Sequence, residues 1–213
     1  KYTCVTGADG SVMPAERIPD DAFCMLVLGG DGTILKAARD TKNVDIPLIG
    51  INLGTLGYLT EIEPANMDFA LDKLIAEEYQ MVSRMMLNGV VYDSEGVRTS
   101  ERALNDIVIS RRGSLQINKL RIYVNGQFLK DYDADGVIVT TPTGSTGYNL
   151  SAGGPIVDPK AELIMLTPVC AHTLNSRSII FSSEEVVEIE VLSGREGQPQ
   201  SLEASFDGGN PVI

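Results

Sequence analysis

Leu28-Gly-Gly-Asp-Gly-Thr33, a glycine-rich turn with one aspartate, joins two segments of different predicted structure. The apolar run Phe23–Leu28 before it predicts a buried strand, and Ile34–Arg39 after it predicts a short helix. Glycines let the backbone approach a ligand closely, and a strand-to-helix turn directs free N–H groups toward an anion. The turn alone leaves two interpretations open: a phosphate site, or a tight turn in which Asp31 caps the helix.

A second apolar run repeats this arrangement. Ile46–Ile51 predicts a parallel strand, and it ends in another glycine turn, Asn52-Leu-Gly-Thr-Leu-Gly57. Ligands of open α/β sheets bind beyond the carboxyl ends of the strands, so both turns are expected on one ligand rim. A stripe of apolar residues then predicts a helix over residues 67–79. Residues 1–79 are therefore predicted to form an α/β domain.

The pattern changes to β-strands from about Tyr79. Asn125-Gly126 lies between two apolar strand patterns and predicts a β-hairpin. Residues 80–213 are therefore predicted to form a β-rich domain. The predicted strands cover residues 79–87, 89–92, 104–111, 120–124, 127–129, 136–140, 163–166, 178–181, 186–191 and 201–206.

Composition limits the class of protein. The 213 residues are 43% hydrophobic and carry a net charge of -12, which opposes binding to nucleic acid and to anionic membranes. The three cysteines are widely spaced and form no metal-binding pattern with the one histidine. An odd number of unpaired cysteines is typical of a protein with reduced thiols in a cytoplasm. The sequence shows neither a membrane-spanning run nor a signal-peptide pattern. We expect a globular cytoplasmic protein that binds neither nucleic acid nor membranes.

A second unusual segment, Thr141–Pro155, combines hydroxyl side chains, glycines and Tyr148. Such a segment suits a base and a ribose, although an ordinary turn has the same composition. Carboxylates and amides can bind ribose hydroxyls, and candidates are the pair Asn105-Asp106 together with the residues Asp133 and Asp135. A β-bulge or a strand end explains the pair equally well. Lys36 could reach a phosphate or lie on a solvated helix face.

Several motifs, taken in order, resemble those of the NAD kinase family. Gly29-Gly-Asp-Gly-Thr33 also resembles turns of lipid kinases and phosphofructokinase-like enzymes. The long motif that runs from Asp135 to Tyr148 is the one that distinguishes NAD kinases. The resemblance implies an α/β N-terminal domain similar to a Rossmann layer and a β-rich (β-sandwich) C-terminal domain, with the dinucleotide between them. The other motifs are Asn52-Leu-Gly-Thr-Leu-Gly-Tyr58, Leu104-Asn-Asp106 and Asp135-Gly-(x)4-Thr-Pro-Thr-Gly-Ser-Thr-Gly-Tyr148, followed by Ala152-Gly-Gly-Pro155.

The resemblance also implies roles for individual residues. Asp31 would be the general base that removes the proton from the 2′-hydroxyl of the adenosine ribose of NAD, with ATP as co-substrate and Mg²⁺ or Mn²⁺ as cofactor. Asp135 and Cys170 would reach the nicotinamide end from a neighbouring subunit of a homodimer or homotetramer. The residues predicted to bind NAD are Asp31, Gly32, Asn105, Asp106, Asp133, Asp135, Thr146, Gly147, Tyr148, Asn149, Ser151 and Cys170. The residues predicted at the ATP phosphates are Gly29, Gly30, Gly32, Thr33 and Lys36.

The chain departs from the family pattern at both ends. It begins about one strand before Gly29, and it ends soon after Phe206-Asp-Gly-Gly209, where family members commonly have Gln after Asp-Gly. We therefore expect both ends of the family fold to be missing from it. Two alternative functions remain: a related kinase for lipids or sugar phosphates, and a dinucleotide sensor. The charge of -12 opposes membrane lipids, and a sensor has no need of a carboxylate at position 31.

Overall fold

A computed structural model of the chain describes residues 4–6, 12–14, 22–41, 46–54, 57–113, 117–172, 176–194 and 200–213. The chain divides into two compact units, residues 1–83 and residues 84–213. The boundary predicted between residues 79 and 80 lies close to this division.

The first unit contains a parallel strand pair with a helix between the two strands. Strands β3 (Met25–Leu28) and β4 (Leu48–Ile51) pair in parallel, and helix α1 (Asp31–Asp40) connects them. The helix buries Ile34 and Ala37, as the apolar spacing of its sequence requires. Ahead of this layer, β1 (Cys4–Thr6) and β2 (Val12–Pro14) form a separate antiparallel pair. The predicted α/β layer is confirmed.

Helix α2 (Met67–Ile75) is shorter than the helix predicted over residues 67–79. It follows a 3-10 turn, Pro64–Asn66. Glu77 has a φ of 58°, a left-handed conformation that ends helices, and the Glu78 N–H turns back to the Lys73 carbonyl. The predicted apolar stripe is also only partly buried, since Phe69 and Ile75 are exposed.

The strand predicted over residues 79–87 is wrong for all but its last residue. Residues 79–86 form no strand, and β5 begins only at Leu87. Met81 and Val82 are exposed, and a β-forming sequence needs a neighbouring strand and a surface to pack on. The segment instead leads from the first unit into the second.

The described residues of the second unit form three antiparallel sheets. One has the order β12-β11-β10-β7-β14, another the order β13-β8-β9, and the third is the pair β5-β6. Asn125 and Gly126 both have positive φ at the β8–β9 turn, as a type I′ hairpin requires. The strands are β5 (Leu87–Asp93), β6 (Gly96–Ala103), β7 (Asp106–Arg111), β8 (Asn118–Val124), β9 (Gln127–Ala134), β10 (Gly136–Thr140), β11 (Leu163–Val169), β12 (Ile179–Ser182), β13 (Val187–Val191) and β14 (Leu202–Phe206).

One hydrophobic core joins the three sheets of the second unit. It includes Leu87 from the two-stranded sheet, Ile122 and Tyr132 from the three-stranded sheet, and Leu166 and Phe206 from the five-stranded sheet. Every residue of the central strand β10 is buried. The predicted β-rich domain is therefore confirmed, and β10 is the rigid element from which the following segment, Thr141–Pro155, extends.

Tyr132 brings a polar atom into this core, and removing that atom should not destabilise the protein. Its side chain is buried and its hydroxyl has no hydrogen-bond partner among the described residues. An unpartnered buried hydroxyl costs about 1–3 kcal/mol, so Tyr132→Phe is expected to leave the free energy of unfolding unchanged or raise it by about 1 kcal/mol. Urea denaturation of both proteins measures this. A loss above about 1 kcal/mol would contradict the absence of a hydroxyl partner.

Candidate active site

The first glycine turn leaves open space at the N-terminus of α1. Gly30 is the N-cap residue, and a Cβ atom on Gly30 or Gly32 would meet no atom of the described residues within 4 Å. The first N–H groups of a helix lack partners within the helix, and they attract anions. A Cβ on Gly29 would lie 2.2 Å from Thr33 Oγ1, so glycine is required there. The turn therefore has the form of a phosphate site.

Asp31 does not cap α1. The N-cap is Gly30, without a side-chain cap, and the Asp31 carboxylate instead reaches the second glycine turn. Its Oδ2 accepts the N–H of Tyr58 at 2.7 Å, and its Oδ1 accepts the N–H of Leu59 at 2.9 Å and the hydroxyl of Thr60 at 3.4 Å. A Cβ on Gly57 would lie 2.0 Å from Asp31 Oδ1. Asp31 is thus fixed in one orientation by a loop that closes tightly over it.

The two glycine turns lie side by side, as the sequence predicts for a common rim. The Gly29 N–H donates to the Ile51 carbonyl at 2.9 Å, and the Leu53 N–H donates to the Gly29 carbonyl at 3.4 Å. Asn52 is buried and accepts the Gly54 N–H at 3.0 Å, which shapes the second turn. The rim therefore combines open backbone at the first turn with a rigid second turn.

Lys36, predicted at the ATP phosphates, lies one turn into α1. Its ammonium pairs with the carboxylate of Asp40 on the same helix. The side chain is partly exposed, and a partly exposed pair of this kind adds little to stability. Its contact with a phosphate remains a prediction.

In the second unit, the chain turns between β6 and β7 at Leu104-Asn105, next to the start of segment 141–155. The N–H of Thr141 and the hydroxyl of Thr140 both donate to the Asn105 carbonyl at 2.9 Å. The hydroxyl of Thr141 donates to the Leu104 carbonyl at 2.6 Å. A Cβ on Gly144 would lie 2.3 Å from the Asn105 carbonyl oxygen, so glycine is required for this packing. The structure thus brings together two motifs that are far apart in the sequence.

Two buried polar atoms of these motifs have no partner among the described residues. They are the side-chain oxygen Oδ1 of Asn105 and the hydroxyl of Thr143. Buried polar atoms are almost always hydrogen-bonded in native proteins, so an unpartnered one calls for a ligand or a water molecule. A bound base or ribose would supply such partners.

Asp106 is a buried carboxyl whose ionisation is disfavoured. Burial, and secondly the negative charge of Asp207, raises the pKa of Asp106 to about 6. Perturbed carboxyl groups of this kind are concentrated at functional sites. Asp106 is also the first residue of β7, and its predicted contact with a ribose remains a prediction.

We expect Asp106→Asn to stabilise the second unit at neutral pH. Folding raises the pKa of Asp106 from 3.8 to about 6, so the protonated carboxyl favours the folded state. This contribution to the free energy of unfolding is complete below pH 3.8 and is lost as the pH rises through 6. The substitution should raise the free energy of unfolding at pH 7 by about 1–3 kcal/mol. Urea unfolding between pH 4 and pH 7 measures the effect, with exposed Asp158→Asn as control. The prediction fails if Asp106→Asn has the same pH dependence as the wild type.

Segment 141–155 contains a 3-10 turn, Thr143–Thr146, and a single helical turn α3, Tyr148–Ser151. Tyr148 and Ser151 are exposed, whereas Thr146 and Gly147 are half-buried. Asn149 is fully buried: its amide donates to the carbonyls of Ser145 at 3.1 Å and Pro155 at 3.0 Å, and its oxygen accepts the Thr167 hydroxyl at 2.6 Å. The structure thus gives Asn149 an internal role. Its predicted contact with NAD remains a prediction.

Asp133, Asp135 and Cys170 lie at the opposite end of β10 from Asn105. Asp106 pairs with Thr140 at one end of this strand, whereas the Asp135 N–H donates to the Val169 carbonyl at the other. Five residues of strand separate the ends by roughly 16 Å. Asp135 also forms an ion pair with Arg111 at 3.3 Å. Asp133 and Cys170 are exposed, and the residues predicted to bind NAD therefore form two separate groups in the second unit.

Sequence reasoning gave no role to two sets of residues that shape these sites, although Tyr58 and Asp207 lie in motifs quoted above. One is the segment Tyr58–Thr60, which holds Asp31. The other is Asp207, whose carboxylate accepts the N–H groups of Leu104, Asn105 and Asp106. The Asp-Gly-Gly sequence after a predicted strand was the available signal for Asp207, because aspartate and glycine favour left-handed turns.

No group of three His, Cys, Asp or Glu side chains in the described part of the chain could hold a metal ion. None of the described helices is long and apolar enough to cross a membrane.

An α/β unit with an open glycine turn at a helix N-terminus, followed by a β-rich unit with a buried polar turn, is the arrangement expected of a two-part nucleotide-binding protein. Family models agree with this class and specify it further. The ATP-NAD kinase N-terminal domain matches residues 11–79, and the ATP-NAD kinase C-terminal domain matches residues 104–210. The chain belongs to the NAD kinase family, and it is therefore a member of a family of phosphate-transferring enzymes.

Individual relatives support this assignment. The chain is 55% identical to an NAD kinase of Agathobacter rectalis over 91% of its own length and 67% of that protein. It is 49% identical to an NAD kinase of Lachnoclostridium phytofermentans over 94% of its length and 71% of that protein.

Two solved structures share its fold. Yeast NADH kinase, in complex with NADH, superposes with a TM-score of 0.81 at 30% identity, and the match covers 92% of this chain but 57% of the yeast chain. An NAD kinase of Archaeoglobus fulgidus, in complex with ATP, gives a TM-score of 0.75 at 28% identity, covering 91% of this chain and 72% of the archaeal one.

Proposed function

We propose that the protein is an ATP-dependent NAD kinase that phosphorylates the 2′-hydroxyl of the adenosine ribose of NAD to form NADP. The observation that carries the proposal is the position of Asp31, one oriented carboxylate beside the open backbone of Gly30 and Gly32. Family membership supports the reaction. The complexes of the yeast relative with NADH and of the archaeal relative with ATP support the two substrate classes.

Asp31 acts as the general base in this proposal. As the ribose 2′-oxygen forms its bond to the γ-phosphorus, the bond from that phosphorus to ADP breaks, and the hydroxyl proton passes to the Asp31 carboxylate. A carboxylate has about four acceptor positions, of which the donors on Tyr58, Leu59 and Thr60 use three. These donors hold the group in place and leave one position for the substrate hydroxyl.

The glycine turn provides the phosphate-binding part of this mechanism. The N–H groups of Asp31 and Gly32 at the start of α1 would bind the phosphate oxygens of ATP, because the helix offers them no carbonyl and the helix dipole favours negative charge there. The Thr33 N–H already donates to the Gly30 carbonyl at 2.8 Å. Gly30 and Gly32 leave the backbone uncovered, so a phosphate can approach it closely. A side chain at either position would occupy that space.

The second unit supplies the proposed contacts to NAD. The Asn105 amide and the Thr143 hydroxyl carry the unpartnered buried atoms, and a base or ribose would satisfy them. Asp106 would accept ribose hydroxyls once it is ionised. Tyr148 is 47% exposed, so its ring is free to lie against a base. These contacts orient the ribose and do not take part in proton transfer.

The described residues do not fit a metal site held by the protein, because no three suitable side chains lie together. Magnesium bound in kinases is commonly carried largely by the phosphates of the substrate. We propose that the predicted Mg²⁺ or Mn²⁺ enters with ATP. None of the roles given to Asp31, Asn105 or Asp106 depends on it.

We also propose that a homodimer or homotetramer completes the NAD site. Asp133, Asp135 and Cys170 would then contact the dinucleotide bound to a neighbouring subunit. The support is their position at the opposite end of β10 from Asn105, with Asp133 and Cys170 exposed.

The reaction is tested by incubating the purified protein with NAD, ATP and Mg²⁺ and measuring NADP with an NADP-specific dehydrogenase. Titration calorimetry with NAD and an assay of ATP consumption accompany it. We expect NADP and ADP in equal amounts. NAD binding without ATP consumption would instead indicate a sensor, and absence of both NAD binding and NADP would indicate a kinase for another substrate.

A further inference from the structure

Asp207 follows β14 and contacts the turn that carries Asn105 and Asp106. Its Oδ2 accepts the N–H of Leu104 at 2.8 Å, and its Oδ1 accepts those of Asn105 at 2.7 Å and Asp106 at 3.1 Å. The Asp207 N–H in turn donates to the Asp106 carbonyl at 3.0 Å. Three consecutive backbone N–H groups thus converge on one carboxylate, which is the geometry of a backbone anion site.

The conformation of Asp207 is itself unusual. Its φ of 49° is left-handed, a conformation that Asp and Asn adopt more readily than other residues with side chains. Gly208, with a φ of 64°, continues the turn, and the Gly209 N–H donates to the Phe206 carbonyl. This backbone turn directs the Asp207 carboxylate toward residues 104–106.

The Asn105 turn is therefore held from two sides. Asp207 binds its N–H groups, while Thr140 and Thr141 bind its carbonyl groups. Hydrogen bonds to a charged acceptor are about twice as strong as neutral ones. The side chains of Asn105 and Asp106 extend from a backbone that has little freedom to move.

We propose that Asp207 is a positioning residue of the dinucleotide site: it fixes the Asn105–Asp106 turn and places a negative charge near Asp106, and so controls affinity for NAD without touching it. The inference rests on the proposed role of Asn105 and Asp106 in NAD binding. The contacts of Asp207 given above lie within the second unit, so we expect its loss to change the affinity for NAD and not the affinity for ATP.

The negative charge of Asp207 also acts on the carboxyl group of Asp106. The charge of Asp207, after the larger effect of burial, raises the pKa of Asp106. The residue opposite Asp106 on the neighbouring strand β10 is the uncharged Thr140, and the charged group facing it from the end of β14 is Asp207. Removing the Asp207 charge should therefore lower the pKa of Asp106.

Two variants separate the carboxylate from the backbone conformation. Asp207→Asn keeps the left-handed preference and one acceptor oxygen but removes the charge. Asp207→Gly keeps the conformation but removes both acceptor oxygens, so that all three N–H groups lose their partner. Asp93→Asn is the matched control. Asp93 also accepts a backbone N–H, that of Glu95, in an exposed turn between β5 and β6.

Steady-state kinetics with NAD and ATP as varied substrates tests the proposal. We expect Asp207→Gly to raise KM for NAD about 10- to 100-fold, with KM for ATP and kcat changed less than threefold. Asp207→Asn should raise KM for NAD less, and the acidic limb of its kcat/KM profile for NAD should move to lower pH. Asp93→Asn should match the wild type. If both Asp207 variants keep the wild-type KM for NAD and pH profile, or if KM for ATP rises equally, the proposal is wrong.

A second measurement does not depend on enzymatic activity. Carboxyl ¹³C NMR titration follows Asp106 in the wild type and in Asp207→Asn. We expect a midpoint near pH 6 in the wild type and a lower midpoint in the variant. If the titration midpoint of Asp106 is the same in Asp207→Asn as in the wild type, the inference is wrong even if NADP forms. If the midpoint is lower in the variant but the wild type forms no NADP, only the proposed function has failed. If Asp207→Gly does not fold, the KM for NAD, the pH profile and the Asp106 titration of Asp207→Asn test the proposal.

Discussion

Asp31→Asn is expected to lower kcat for NADP formation by about 10²- to 10⁴-fold, the usual contribution of a general base. Asparagine has nearly the same shape, yet its amide cannot take the proton of the ribose hydroxyl. KM for ATP should change much less, because the open backbone of Gly30 and Gly32 is unaltered. Steady-state NADP formation, with the dissociation constant for NAD from calorimetry, measures the effect.

The structural contacts of Asp31 need their own control, because asparagine also loses one acceptor for the N–H groups of Tyr58 and Leu59. Gly57→Ala provides it. A Cβ at position 57 would lie 2.0 Å from Asp31 Oδ1, so this variant disturbs the same contact while the carboxylate remains. Gly57→Ala should reduce thermal stability and lower kcat less than Asp31→Asn does. Equal losses of kcat in the two variants would indicate that Asp31 acts only by holding the second turn.

Asn149→Ala is expected to lower the free energy of unfolding by about 3 kcal/mol or more. The substitution leaves the carbonyls of Ser145 and Pro155 and the hydroxyl of Thr167 without their present partner. Each unpaired buried polar group costs about 1–3 kcal/mol, although the Thr167 hydroxyl retains Ser178 as a neighbour at 2.7 Å. Urea denaturation, followed by probes in the second unit, measures the loss.

The comparison variant is Asn88→Ala, which removes an exposed amide from β5 in the same unit. It should change the free energy of unfolding by no more than about 0.5 kcal/mol. A large loss of NAD affinity in Asn149→Ala, without loss of stability, would show that Asn149 binds the ligand directly and that its internal hydrogen bonds are secondary.

Local sequence patterns were sufficient for most of the fold. The apolar runs on either side of Gly29–Thr33 predicted the parallel pair and its helix, and Asn125-Gly126 predicted a hairpin, because glycine and asparagine accept the positive φ that this turn requires. The failure at residues 79–86 has a physical cause. Those residues have strand-forming side chains, but strand formation also needs a partner strand, which local sequence does not specify.

The contacts within the candidate site could not be predicted from the sequence. Asp31 is the first residue of α1, directly after the turn that follows β3, and its hydrogen bonds go to Tyr58 and Leu59, which lie 27 and 28 residues further along the chain. Asp207 is separated from Asn105 by 102 residues. Such contacts depend on how strands pair, and no local spacing encodes them. Asn149 was equally unpredictable, because a buried amide and a ligand-binding amide look alike in sequence.

The position of the new phosphate shows whether the protein phosphorylates the 2′-hydroxyl of the adenosine ribose. The purified protein is incubated with NAD, ATP and Mg²⁺, and the product is examined by ³¹P NMR, with 2′-deoxy-NAD as the matched substrate. We expect a phosphomonoester on the 2′-oxygen of the adenosine ribose, one ADP for each product molecule, and no phosphorylated product from 2′-deoxy-NAD. A phosphate on another hydroxyl, or phosphorylation of 2′-deoxy-NAD, would contradict it.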